Sequence, residues 1–205
     1  MIGSEQLTAG MVKATSSLPS GRPLSLGGLR EWTQALIPFR DAGFRAAEIH
    51  SGWLSFPDFN SSDTSKLKSA AKSASLTIPS VAIARKSVIE PGLGESNLNF
   101  TLRGLEVASE LGARVVCIGF HPELTEAQKE AQFFWEEQGR VDLTDHGTWS
   151  TAVSRTQEIG QRAKELGLAL SLEIYEDTLL GSAESALKFL SDVGMSHVGL
   201  NPDIG

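Results

Sequence analysis

Apolar positions along the chain recur in two alternating rhythms. Short runs rich in aliphatic and β-branched residues read as strands: FRAAEIH (Phe44–His50), LTIPSVAIA (Leu76–Ala84), ARVVCIGFH (Ala113–His121), the stretch Leu168–Ile174 and HVGLNP (His197–Pro202). MVKATSS, from Met11, is a weaker first strand. Between these runs the apolar residues return every three or four positions, which marks a helix with one buried face. Helices are predicted over Leu26–Ala42, from Ser61 onward, over Asn97–Gly112, over about Thr148–Leu166 and over Ser182–Asp192. Leu98, Leu102, Leu105 and Leu111 form the buried stripe of the third. Gly43 stops the first helix, Pro38 is expected to kink or shorten it, and serine and aspartate residues are expected to open the second. The joints ELGARVV and ELGLALS are alike, with DAGFRAA a near variant. In each, a glycine closes a helix and the chain turns straight into an apolar strand.

Strands alternating with helices build βαβ units and a parallel sheet. No G-x-G-x-x-G follows the first strand, which speaks against a dinucleotide-binding Rossmann domain. GLGES (Gly92–Ser96) reads as a turn and helix cap rather than a phosphate cradle. The pattern fits an α/β fold of the (β/α)8 TIM-barrel type. Residues 1–205 supply one domain with about the first six βα units, whereas a full barrel needs about 250 residues. The barrel is therefore expected to be incomplete at its C-terminal side.

Side chains on a strand alternate between its faces. In the fifth strand Leu168, Leu170 and Leu172 share one face, and Ala169, Ser171 and Glu173 the other. In the sixth, Val198 and Leu200 oppose Gly199, Asn201 and Asp203; in the fourth, Val116, Ile118 and Phe120 oppose Cys117, Gly119 and His121. In the second, Ala47 and Ile49 oppose Ala46, Glu48 and His50. Each time, small residues lead to an ionisable side chain at the strand's C-terminal end. Glu48, His50, His121, Glu173 and Asp203 are thus expected at one barrel mouth, where active sites of this fold sit. Carboxylates and imidazoles gathered in one pocket suit a divalent cation, and oxygen-rich sites favour magnesium or manganese. Taken singly, each residue has a plainer reading as a cap, an ion pair or a structural hydrogen bond. Only the recurrence across strands lifts the metal reading above it. His197 begins the sixth strand, at the opposite end, and is set aside.

Composition narrows the function classes. Hydrophobic residues make up 40% and charged residues 21%, ordinary for a globular domain. No run of about 18 apolar residues predicts a transmembrane helix, and no secretory signal is visible at the N-terminus, so cytoplasm is the expected compartment. The single cysteine, Cys117, has no internal disulfide partner and reads as a small core hydrophobe. A net charge of -7, with basic residues scattered singly, argues against nucleic acid as a partner.

The run SLEIYEDTLLGSAESALKFLSDVGMSHVGLNPDIG resembles the central part of the sugar phosphate isomerase/epimerase family, the xylose isomerase-like TIM barrels. AGFRAAEIH resembles the family's second strand and ELGARVVCIGFH its fourth, and the similarity runs in order from about Gly27. Its motif pair is a Glu ending strand five and an Asp ending strand six 30 positions later. The resemblance implies a divalent metal, manganese first with magnesium or cobalt as alternatives, held by a Glu, an Asp, a His and a second Glu. Glu173 and Asp203 match the first two; the others would lie beyond Gly205, so this chain carries half of the site. The implied activity is carbohydrate isomerisation or epimerisation. A metal polarises a sugar carbonyl and lowers the cost of the enediolate formed when a proton leaves the adjacent carbon; a carboxylate or imidazole moves that proton. Glu173 is then ligand and acid/base, with His121 and His146 in orienting or proton-shuttling roles. Glu48, His50, Trp149 and Asn201 are the candidates for contacting the sugar.

The segment Pro122–Thr148 exceeds the usual βα loop of about 2–6 residues, and long loops over this face often form lids. Its aromatics Phe133, Phe134 and Trp135, with Trp149, either line a sugar or aglycone pocket or pack a helix on the barrel rim. With His146 and the ending NPDIG, this segment also resembles C-glycoside deglycosidase catalytic subunits, lyases of the same superfamily that use manganese and work with a small β-rich partner. The expected partners are a small-molecule sugar or glycoside, and either further copies of this chain or that small subunit. A barrel that binds without catalysis is the alternative of another class. The AP-endonuclease branch would need a basic DNA face and a histidine-rich metal cluster, against four histidines and the acidic balance here.

Overall fold

The computed structural model describes residues 8–11, 14–133, 136–139 and 145–202. Six strands follow chain order along the sheet, β1-β2-β3-β4-β5-β6. The chain divides into two compact units. Unit one takes the chain up to Ile83 with Arg103–Val116 and Leu166–Leu168; unit two takes Ala84–Leu102, Cys117–Glu165 and the chain from Ala169.

Unit one holds β1 (Thr8–Gly10), β2 (Ala46–His50) and β3 (Thr77–Ile83), all parallel, with Gly10 beside Glu48 and Glu48 beside Ser80. The first strand lies just before the predicted one. Met11 is fully buried, so the apolar signal is real, but the backbone that pairs with β2 is Thr8–Gly10. Helix α1 (Leu29–Asp41) buries Trp32 and Leu36. The Trp32 indole donates to the Leu24 carbonyl at 2.8 Å and stacks on Phe59. Those anchors carry α1 through Pro38 to Asp41, where the sequence predicted a kink or an early end. Gly43, at φ +97°, ends the turn after it, a left-handed conformation that costs glycine little. Helix α2 (Ser61–Ser73) is opened by Asn60, whose side chain accepts from the Asp63 N–H at 3.0 Å. The cap is thus the residue ahead of the predicted serine/aspartate start.

Helix α3 (Gly94–Leu111) begins within GLGES, as expected for a turn and cap. It leads to β4 (Val115–Ile118) through Gly112, which like Gly167 and Gly194 has positive φ. The repeated helix–glycine–strand joint is therefore a left-handed C-terminal stop.

Unit two contains β5 (Ala169–Ile174) and β6 (Val198–Pro202), parallel, with Glu173 beside Asn201. The helices are α4 (Glu126–Glu130), α5 (His146–Glu165) and α6 (Ala183–Val193). Asp145 starts α5 by accepting from the N–H groups of Gly147 and Thr148 at 2.9 and 3.1 Å and from the Thr148 hydroxyl at 2.6 Å. These bonds hold its carboxyl below the usual range, the Thr148 hydroxyl most of all. Ser182 and Ser185 cap α6 reciprocally. Phe189 of α6 is fully buried and meets Phe120 and Trp149 edge-on, each at 5.3 Å. Burying such a side chain contributes about 1.5–3 kcal/mol.

The alternation read from sequence holds along β5 and from Ala47 to His50 in β2, whereas Cys117 and Ile118 of β4 are buried alike and Leu200 of β6 is only half-buried. Leu170 and Leu172 are buried, while Ala169 is exposed and Ser171 and Glu173 are half-buried. In β2, Ala47 and Ile49 are fully buried and Glu48 and His50 half-buried.

Candidate active site at the strand ends

In unit two the site is built around the C-terminal ends of β4 and β5. Glu173 is the fifth residue of β5, on the face of Ser171, with its side chain 25% exposed. His121 follows β4 and is 4% exposed, with Nε2 at 3.8 Å from the Glu173 carboxylate. That separation suits an ion pair with a protonated imidazole and is too long for a hydrogen bond. The His121 ring lies over Gly119, where an added Cβ would stand 2.8 Å from Nδ1. The small residue preceding the ionisable one therefore has a steric cause. Asn201 also reaches this face, donating to Cys117 Sγ at 3.5 Å.

Tyr175 extends the constellation. Its ring meets that of His121 nearly perpendicular at 4.7 Å, and the Arg85 guanidinium lies over it at 5.5 Å. Tyr175 and Arg85 line a cleft of about 260 Å³ with Pro122, Gln128, Glu136–Gly139 and Glu176–Thr178. Gln128 holds one wall: it accepts from the Thr125 N–H and donates to the Glu137 carbonyl at 3.2 Å. The opposite wall is a turn in which the Thr178 hydroxyl donates to the Tyr175 carbonyl at 2.7 Å. Arg85 and Asp177 have φ of +56° and +59°. Such conformations cost of order 1–3 kcal/mol each and gather at functional sites.

In unit one, Glu48 and His50 have local partners. The Ser80 hydroxyl donates to the Glu48 carboxylate at 2.7 Å, and His50 Nδ1 accepts from the Gly52 N–H at 3.0 Å. His146 stands at the exposed first position of α5. Trp149, one turn on, donates to Asp192 at 2.8 Å and lies under Lys188, so it ties α5 to α6. Phe133 is exposed. Asp203, Phe134 and Trp135 lie outside the described residues.

Among the described residues no three His, Cys, Asp or Glu side chains are grouped as a metal ion would need. The donors that are present suit a hard divalent ion, with Glu173 as oxygen donor and the His121 imidazole nearby. Arg85, Tyr175 and their cleft were missed at the level of sequence, since they lie beyond the strand ends. One signal could have found Tyr175. It is the chain's single tyrosine, two positions past Glu173, and so continues the same face.

Parallel βα units in chain order, with ionisable side chains at the strands' C-terminal ends, define a TIM-barrel type of protein. The family model described as xylose isomerase-like TIM barrel matches residues 39–205, and the chain belongs to that family. A xylose isomerase-like TIM barrel protein from Mycobacterium smegmatis, solved in complex with magnesium, is 31% identical over 100% of this chain, with a TM-score of 0.91. D-allulose 3-epimerase from Methylomonas sp. (17% identity, 87% of this chain, TM-score 0.66) shares the fold. So does 3-keto-D-glucoside 4-epimerase, YcjR, from E. coli (16%, 84%, 0.63). The chain spans 67% of the mycobacterial protein and 59% and 63% of the two epimerases. No curated protein matches it by sequence. No helix among the described residues is long and apolar enough to cross a membrane.

Proposed function

We propose that the protein is a divalent-metal-dependent isomerase or epimerase of carbohydrates, removing a proton from the carbon beside a sugar carbonyl. The observation that carries this reading is Glu173, half-buried at the C-terminal end of β5 beside the buried His121 imidazole, in a chain of the xylose isomerase-like family. The sugar epimerases that share its fold support the same reading. Glu173 would hold the metal with Asp203, manganese by preference and magnesium or cobalt as alternatives. A bound divalent ion supplies Lewis-acid polarisation of a sugar carbonyl or hydroxyl. Glu173 then takes and returns the proton, and His121, packed over Gly119 and against Tyr175, keeps the carboxylate in position. Asn201, in register with Glu173, is the proposed sugar contact of this unit. A homo-oligomer is the proposed assembly.

A second reading is C-glycoside deglycosidase activity with a small β-rich partner subunit. The long connection between β4 and α5, which brings His146 to an exposed helix start, favours it. The experiment offers the full-length protein ketohexoses and 3-oxo-C-glycosides with manganese or with a chelator. Metal-dependent epimer formation is the expected result, aglycone release would select the second reading, and metal-independent turnover would overturn both. Binding without any turnover would select the non-catalytic barrel.

A further inference from the structure

If the protein is a carbohydrate enzyme, as proposed above, the cleft beside Tyr175 bears on which sugar it uses. Among the described residues, the lining combines an aromatic ring with four acidic residues, Glu136, Glu137, Glu176 and Asp177, and one basic group, the guanidinium of Arg85. That guanidinium is engaged, lying over the Tyr175 ring and reaching the Pro122 carbonyl at 3.5 Å. A phosphate in this cleft would meet more acidic than basic groups among the described residues, with Arg85 already engaged. A sugar ring would meet the reverse situation, because its hydroxyl groups donate to carboxylates in charge-assisted bonds and its apolar face packs on an aromatic ring. Tyr175 links the cleft to the proposed reaction centre: its ring meets that of His121 at 4.7 Å, and His121 lies 3.8 Å from Glu173. Its two walls are held by Gln128 and Thr178 rather than left to close around a ligand.

We infer that this cleft takes an uncharged, polyhydroxylated group attached to the reacting sugar, and that the substrate is a glycoside or oligosaccharide rather than a sugar phosphate. Arg85 and Tyr175 shape the binding surface, and the acidic residues set the selectivity.

The test is saturation-transfer NMR on the full-length protein with three probes: lactulose, fructose and fructose 6-phosphate. Saturation of both lactulose rings is expected, with fructose 6-phosphate bound at least about tenfold more weakly than lactulose, the scale set by one like-charge contact near a surface. In E176Q/D177N that gap should narrow, and in Y175A the outer-ring signal of lactulose should fall while the fructose signal persists. Equal or tighter binding of fructose 6-phosphate, an outer ring that stays unsaturated, or a Y175A protein that melts normally yet keeps the outer-ring signal would each overturn the inference. If Y175A does not fold, Tyr175→Phe with E176Q/D177N carries the test, and an unchanged preference overturns it. Turnover of Glu173→Gln is read separately. Activity that survives that substitution defeats the proposed chemistry and leaves the cleft result standing.

Discussion

Two strand ends in this molecule carry the same sequence signature and settle it differently. At the end of β2, Glu48 is bound by the Ser80 hydroxyl at 2.7 Å and His50 by the Gly52 N–H. At the end of β5, Glu173 comes no nearer to His121 than 3.8 Å, beside a chain of aromatic and charged groups leading into a cleft. A small-residue face ending in an acid therefore marks a strand end on the mouth side of the fold. The residue in register on the neighbouring strand differs between the two ends. Ser80 stands in register with Glu48, and Asn201 in register with Glu173.

The largest effect separates the two acids directly. Glu173→Gln should lower turnover by about a thousandfold, within the range of a lost general acid/base. Glu48→Gln should cost less than about tenfold, the scale of one hydrogen bond. Equal losses in the same steady-state assay would erase the distinction between the strand ends.

The packing beneath both sites should be alike. Trp32→Ala in unit one and Phe189→Ala in unit two should each lose about 3–5 kcal/mol in denaturant unfolding; a loss below about 1 kcal/mol in either would show that its core anchor is misassigned.

Gly119 and Gly199 sharpen the comparison further, because both occupy the small-residue face. A Cβ at Gly119 would strike the His121 ring, while one at Gly199 meets nothing within 4 Å. Gly119→Ala should destabilise by about 1–3 kcal/mol and lower activity, with Gly199→Ala near neutral. Equal melting temperatures for the two variants would contradict the placement of His121.

The smallest effect belongs to Asp145. Its folded-state pKa lies below the ordinary 3.8, so its contribution to stability is present above that value and fades as pH falls through the lower folded value. Asp145→Ala should lower the melting temperature slightly at pH 7. Its difference from the parent should vanish in strong acid, as melting curves across pH would show.

Much of the fold was legible in the chain. The helix–strand rhythm located β2 to β6 to within a few residues, since the buried faces of α3 and β5 follow their periods closely, while β1 fell just ahead of the stretch expected. The alternation also singled out Glu173 and His121, because a strand's geometry fixes which residues share a face. Legibility stopped where that geometry stops. Arg85 and Tyr175 lie beyond the strand ends, and the left-handed backbone at Arg85 and Asp177 carries no periodic signal. Trp149 has the composition of a sugar platform, yet its indole joins α5 to α6 through Asp192. Glu48 looked like a ligand because its partner, Ser80, is 32 residues away in the chain.

The most direct test of the central assignment is anomalous diffraction from crystals of the full-length protein grown with manganese. The expected result is a manganese peak bonded to a Glu173 carboxylate oxygen at about 2.0–2.2 Å, comparable to other hard divalent sites, and no peak at Glu48. A fully occupied ion elsewhere, with Glu173 bound only by protein groups, would contradict it.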